Sequence, residues 1–278
     1  MFKILTAIGL VLLLGGLACH FASLSIFNAL IPKDAGGQRV AAGLSYGPHK
    51  RQRLDLYRPD GRGPFPVLFF SYGGSWDSGW RQDYGFVGRA FAAQGYLTAI
   101  ADYRLVPEVH YPAFVDDTKA AMDWVVSHAA EYGGDGRGLF VAGHSAGAYN
   151  AAQAVLQRHK NDIRAAAFMA VPADFLPFDS AKSIAAFSTA PDLPETQPIN
   201  QDLRNAPPML LLHGTDDETV GLHNSRNFFA ALAAAGRAPQ LKIYDGLGHV
   251  GILLALAKPL RGRAPVLDDI LRFFQRYR

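Results

Sequence analysis

The chain has 278 residues, with 27 Lys and Arg against 24 Asp and Glu, for a formal net charge of +3. Apolar residues make up 49% of it, enough for one large core, and no low-complexity tract or internal repeat divides it. The basic residues are scattered apart from "RGR" and "RFFQRYR" near the C-terminus, which speaks against nucleic acid as a partner. The single cysteine excludes an internal disulfide and a cysteine-based zinc site.

At the N-terminus, Lys3 precedes a strongly apolar run from Ile4 to Leu17, followed by small residues and Cys19. A basic start, an apolar middle and a small-residue end are the layout of a secretory signal. "GLAC" resembles a bacterial lipoprotein signal, in which the cysteine after the cut is lipidated. Ala18 fits that pattern, while Gly16 stands where leucine is usual. Weaker apolar character continues to Ile31, long enough to span a bilayer if uncut. As lipoprotein signal, uncleaved anchor or cleaved leader, residues 1–30 are expected to lie outside the folded domain at 38–278. That domain is expected in the cell envelope, outside the cytoplasm, with the membrane as a partner of the N-terminal segment.

"RVAAGLSYG" and "RQRLDLYRP" read as two short alternating strands, an antiparallel edge. "FPVLFFSYGG" and "GYLTAIADYRL" are continuous apolar runs, the pattern of buried strands, with the helical spacing of "YGFVGRAFAAQG" between them. "YPAFVDDTKAAMDWVVSHAAEYGG" is a helix with Pro112 near its start and glycines past its end. The strand "GLFVAG", the helix "AGAYNAAQAVLQRHK" and the strand "RAAAFMAVP" follow. Next come the strands "PPMLLLHG" and "PQLKIYDG" with the helix "LHNSRNFFAALAAAG" between them, and the amphipathic helix "APVLDDILRFFQRYR" closes the chain. Strands alternating with helices predict an α/β fold with a mainly parallel sheet covered on both faces. Residues 174–206, rich in Pro, Ser and Asp, read as a small lid-like insertion over the mouth of a site.

The pattern G-x-S-x-G occurs twice, as "GLSYG" at Gly43–Gly47 and "GHSAG" at Gly143–Gly147. Only the second sits between a buried strand and a helix, the context a nucleophile elbow requires. There Ser145 occupies a sharp turn, so the elbow residues Gly143 and Gly147 must be tiny, and the helix presents its N-terminus to developing negative charge. A serine hydroxyl needs a base, and in this order of elements an acid and then a histidine follow the serine. His159, His213, His223 and His249 follow Ser145. His249, in the glycine-rich "YDGLGHVG", is the expected base. Asp217, after the strand "LLLHG", is the expected acid, with Asp216 as the alternative. The "SYGGSW" turn supplies backbone donors for an oxyanion from Gly74 and Ser75, and Ala146 supplies a third. Trp76, Trp80, Tyr84 and Tyr149 are candidates to line a substrate pocket. The chemistry calls for no cofactor and no metal. A site built from His213, Asp216, Asp217 and His223 would need adjacent aspartates to converge on one ion.

From about Leu54 onward the chain resembles the α/β-hydrolase esterase/lipase family, close to the hormone-sensitive-lipase and acetyl-esterase group. The resemblance rests on "YGGSW", "DYRLVPEVHYPAFVDD", "GHSAG", "HGTDDETV" and "GLGHVG". It implies an α/β-hydrolase fold with Ser145 as nucleophile, Asp217 as acid and His249 as base. The family's oxyanion motif usually opens with histidine, where this chain has Tyr72. Asp102 and Arg104 of "DYRL" are expected to brace that loop. The activity implied is a carboxylesterase acting on a small ester with a short acyl chain or small aromatic group. The alternatives are an amidase, such as an arylformamidase, on the same triad, or a membrane-tethered binding protein without turnover.

Overall fold

The computed structural model describes residues 24–158 and 162–278. Eight strands form one sheet among these residues. They are β1 (Gly37–Ser45), β2 (Arg53–Pro59), β3 (Phe65–Ser71), β4 (Leu97–Ala101), β5 (Gly134–His144), β6 (Ile163–Met169), β7 (Met209–Gly214) and β8 (Gln240–Tyr244). Their spatial order is β1-β2-β4-β3-β5-β6-β7-β8. β1 pairs antiparallel with β2, and β2 with β4, while every later pairing is parallel. This is the expected α/β architecture with its antiparallel edge.

The apolar strands alternate between two cores. Leu68, Phe70, Phe140 and Ala142 face one cluster, shared with Phe86 and Phe91 of helix α1 (Gly85–Ala92). Val67, Phe69, Leu139 and Val141 face the other, shared with Met122 and Val125 of α2 (Ala113–His128) and Ala151 and Val155 of α3 (Ala146–Leu156). Side chains of period two thus reach both faces, which is why these strands read as unbroken apolar runs. The insertion at 174–206 contains α4 (Ala181–Phe187) and three short 3-10 turns, and no strand. Helices α5 (His223–Ala234), α6 (His249–Leu254) and α7 (Val266–Gln275) complete the order. His249 therefore starts a short helix instead of sitting within a loop. Buried Ile270, Phe273 and Phe274 give α7 the apolar face its sequence predicts.

Residues 24–30 are helical and pack onto the domain instead of lying outside it. Helix α1 has no side-chain cap of its own at Tyr84, and Asn28 supplies one from a distance. Its Oδ1 accepts from the Phe86 amide at 2.9 Å, and its Nδ2 donates to the Gln82 carbonyl at 2.8 Å. Phe27 meets Phe86 edge to face, with ring centroids 5.3 Å apart. Of the apolar residues that run to Ile31, Leu24, Phe27 and Ile31 pack against the core. Among the described residues no helix is long and apolar enough to cross a membrane. Cys19, with the cleavage and lipidation reading built on it, lies outside the described residues, as does His159.

Replacing Asn28 with alanine leaves the first turn of α1 uncapped. Urea unfolding of Asn28→Ala is expected to show a loss of about 1–2 kcal/mol.

Candidate active site

β5 runs into α3 through a single residue, Ser145, whose backbone sits at φ 55° and ψ −130°. That conformation is strained for a residue with a Cβ, and the neighbours on either side enforce it. A Cβ on Gly147 would stand 2.2 Å from the Tyr72 carbonyl oxygen, and one on Gly143 would stand 2.8 Å from the Ala148 Cα. Strand, turn and helix can close this tightly only with glycine at both positions.

The structure brings Ser145, His249 and Asp217 together from the ends of β5, β8 and β7. The Ser145 hydroxyl lies 2.8 Å from His249 Nε2, and His249 Nδ1 lies 2.8 Å from Asp217 Oδ2. A carboxylate only accepts, so Nδ1 carries the proton and Nε2 keeps its lone pair toward Ser145. Asp217 is held at both oxygens. Oδ1 accepts from the amides of Val220 at 2.8 Å and Thr219 at 3.0 Å. Oδ2 also has His213 Nε2 at 3.4 Å. Burial alone would raise the Asp217 pKa. The hydrogen bonds from His213 and His249, the charge of His249 and the Val220 amide outweigh it and hold the carboxyl well below its usual range. Asp216 is exposed and bonds Thr215. Among the described residues no cluster of three or more His, Cys, Asp or Glu could hold a metal.

The oxyanion loop follows β3. Gly74 takes φ 141°, and Ser75 and Trp76 continue in left-handed backbone at 52° and 62°. The Gly74 carbonyl accepts from the amides of Asp77 and Ser78, closing the turn. No described group accepts from the Gly74 or Ser75 amides, and both residues border the space around Ser145, as Ala146 does. Tyr72, in the family's histidine position, donates to Asp102 Oδ1 at 2.7 Å. Asp102 also accepts from the Arg81 amide at 2.6 Å and pairs with its guanidinium. Arg51 donates to the Gly79 carbonyl at 2.7 Å and to Tyr72 Oη at 3.1 Å, and the Tyr84 hydroxyl donates to the Gly73 carbonyl at 3.2 Å. Asp102 therefore braces the loop. Arg104 does not, because its guanidinium is taken by Asp117 of α2.

Two cavities meet at Ser145. One, of about 280 Å³, is bordered by Trp76, Ala146, Phe175 and polar side chains of the insertion. The other, of about 350 Å³, is bordered by Tyr84, His249, Leu253, Leu254 and, unexpectedly, Leu24 and Phe27. Trp76 and Tyr84 border these cavities. Trp80 does not: it is 51% exposed and carries the Arg51 guanidinium 4.1 Å above its ring. Tyr149 is fully buried on α3, beneath Trp76, where its hydroxyl and Gln153 both donate to the Thr196 carbonyl and tie the insertion down.

Three polar groups escaped the sequence. His213 is completely buried between the Ser225 hydroxyl (2.7 Å) and the Val220 carbonyl (2.8 Å), and so steadies the turn that carries Asp217. Arg51 precedes β2 with no motif around it. His144, inside G-x-S-x-G itself, donates from Nε2 to the His249 carbonyl at 2.9 Å, while its Nδ1 has no hydrogen-bond partner among the described residues. Burial, followed by the neighbouring His249 ring, pushes the His144 pKa down to about 3.

Comparison with known proteins now bears on this geometry. The family model described as BD-FAE matches residues 54–173. The probable isoprenylcysteine alpha-carbonyl methylesterase ICME of Oryza sativa subsp. japonica is 28% identical over 272 residues, covering 84% of this chain and 63% of that protein. Esterase LipC of Mycobacterium tuberculosis is 30% identical over 222 residues, covering 69% of this chain and 55% of that protein. The chain thus spans under two thirds of the length of these curated relatives. Esterase B from Lactobacillus rhamnosis, solved with a C4-C4 SN3 tributyrin phosphonate, superposes with a TM-score of 0.82 at 19% identity, over 92% of this chain and 91% of that one. Fold and site together define an α/β-hydrolase. Within that fold the chain belongs to the esterase family.

His144 makes acid sensitivity measurable. Its ring protonates near pH 3 when folded and near 6.5 when unfolded, so between these values the unfolded chain binds more protons and stability falls as pH falls. His144→Gln keeps a donor but cannot titrate. The stability lost between pH 7 and pH 5, read by urea unfolding, is expected to shrink by about 2 kcal/mol in the variant.

Proposed function

We propose that the protein is a serine carboxylesterase. The observation that carries this is the continuous hydrogen-bonded line from Ser145 through His249 to a carboxylate that also accepts from the amides of Val220 and Thr219. His249 Nε2 takes the hydroxyl proton as Ser145 Oγ attacks the ester carbonyl. The oxyanion forms against the amides of Gly74, Ser75 and Ala146. As the carbon–oxygen bond to the alcohol breaks, His249 returns the proton to the departing oxygen, leaving an acyl group on Ser145. Water, deprotonated by His249, then releases the acid and restores Ser145. Asp217 orients the imidazole and stabilises its charged form throughout.

The smaller cavity, walled by Trp76, Phe175 and the insertion, favours a short acyl chain or a small aromatic acid. In this reading the insertion at 174–206 acts as a lid fixed to α3 at Thr196. The relatives' names support ester hydrolysis over amide hydrolysis. Labelling with a fluorophosphonate, mapped by peptide mass spectrometry, tests the reading without a substrate. Fast modification of Ser145, abolished in Ser145→Ala, is expected. A folded protein that does not react would instead support the tethered, non-catalytic alternative.

We further propose an extracytoplasmic location, with residues 1–23 holding the domain at the membrane. Support comes from Lys3, the run Ile4–Leu17 and Cys19, and from Ile26 and Leu30, which stay 57% and 78% exposed just beyond. The intact mass of membrane-extracted protein is expected to lack residues 1–18 and carry acyl chains if Cys19 is lipidated. It is expected to equal the full chain if the segment is an uncut anchor.

A further inference from the structure

The two cavities that meet at Ser145 differ in what they border, and the reaction distinguishes them. In the esterase mechanism the departing alcohol oxygen must take its proton from His249 Nε2, so the alcohol half of the ester lies on the His249 side. Among the described residues only the larger cavity is bordered by both Ser145 and His249. The smaller one is bordered by Ala146, whose amide faces the oxyanion, and by Asp179, Lys182 and Asn224 of polar character. The larger cavity's outer wall is apolar. Leu24 and Phe27 stand on one side, and Val250, Leu253 and Leu254 of α6 on the other. The charged side chain on this lining, Asp83, is engaged by the Ser25 hydroxyl at 2.5 Å.

We propose that this cavity is the site for the alcohol half of the substrate and takes an unbranched aliphatic chain, with the helical residues 24–27 as one wall. The inference rests on the esterase reading and adds a substrate class to it: esters of a small acid with a medium-chain apolar alcohol. The volume of about 350 Å³ falls in the lower range for small-molecule sites, about 300–1,000 Å³. Each methylene transferred from water to such a wall strengthens binding about fourfold. A methyl ester leaves the cavity empty, whereas a hexyl ester places its chain against Leu24, Phe27 and Leu254. The segment that reads as part of a leader is on this view a specificity element.

The test uses the full chain and two ester series kept below their aggregation concentrations. In alkyl butyrates from methyl to octyl the acid is constant. In p-nitrophenyl esters from acetate to octanoate the leaving group is constant. The expected result is that kcat/KM rises by up to about 10³-fold from methyl to hexyl butyrate and does not rise beyond butyrate in the second series. Leu24→Trp and Leu254→Trp, each checked for fold by circular dichroism, are expected to lower the octyl-to-methyl ratio of kcat/KM at least about tenfold. A flat alcohol series, or a rise that follows the acyl chain instead, overturns the assignment of the cavity. A ratio unchanged in both folded variants overturns the wall. Fluorophosphonate labelling in parallel separates the levels. Labelled Ser145 with a flat alcohol series sinks this inference alone, and no labelling with no turnover of any ester takes the esterase reading down with it.

Discussion

The active site depends on one crowded junction. The chain leaves β5 and enters α3 through a residue in left-handed backbone, and Gly147 allows the loop after β3 to pass against it. The Tyr72 carbonyl would stand only 2.2 Å from any Cβ at position 147. That proximity brings the oxyanion loop to the same point in space as the nucleophile, although 70 residues separate them. It also leaves no room to adjust one without the other. The network of Tyr72, Asp102, Arg81 and Arg51 is the second half of the same constraint, since it holds the loop whose path Gly147 permits. A buried, hydrogen-bonded set of charges stabilises little by itself, but leaving any member unpaired is costly. The loop therefore has one well-defined position, which an oxyanion hole requires.

Two buried histidines flank the working one, and their roles follow from their surroundings. His213 supports the turn that presents the acid. His144 links the elbow to the backbone of the base. Both act through fixed hydrogen bonds, and His144 remains neutral across the whole range in which the protein would work. The site thus contains three imidazoles, of which one alone reaches the nucleophile's hydroxyl.

Much of this was legible in the sequence because it is local or ordered. The apolar runs ending in glycine marked the strands, and the strand–turn–helix setting separated Ser145 from Ser45. The serine, acid, histidine order singled out Asp217 and His249. What escaped was set by contacts that no local pattern encodes. His144 sits at the variable position of its motif, and its partner is 105 residues away. Trp80 and Tyr149 lie close to the motifs, but one turns out toward Arg51 and the other turns to the Thr196 carbonyl of the insertion, which spacing along the chain does not reveal. Arg104 looked like a brace until Asp117 claimed it. The segment at residues 24–30 is the most instructive. Hydropathy reads the same whether an apolar side chain meets lipid or the wall of a cavity, and it was Asn28, a polar residue, that secured the segment to the fold.

That docked segment also sets a leash. Seven residue steps separate Leu17, the end of the apolar run, from Leu24 at the cavity wall, and a fully extended chain covers roughly 25 Å in that distance. If the run Ile4–Leu17 is retained and held at a membrane, as in the uncut form of the proposal, it keeps the opening beside His249 within about that radius. On that proposal the domain cannot turn its mouth far from its point of attachment without first giving up the Asn28 cap and the Phe27 contact. Reach and orientation are tied to the stability of one short helix.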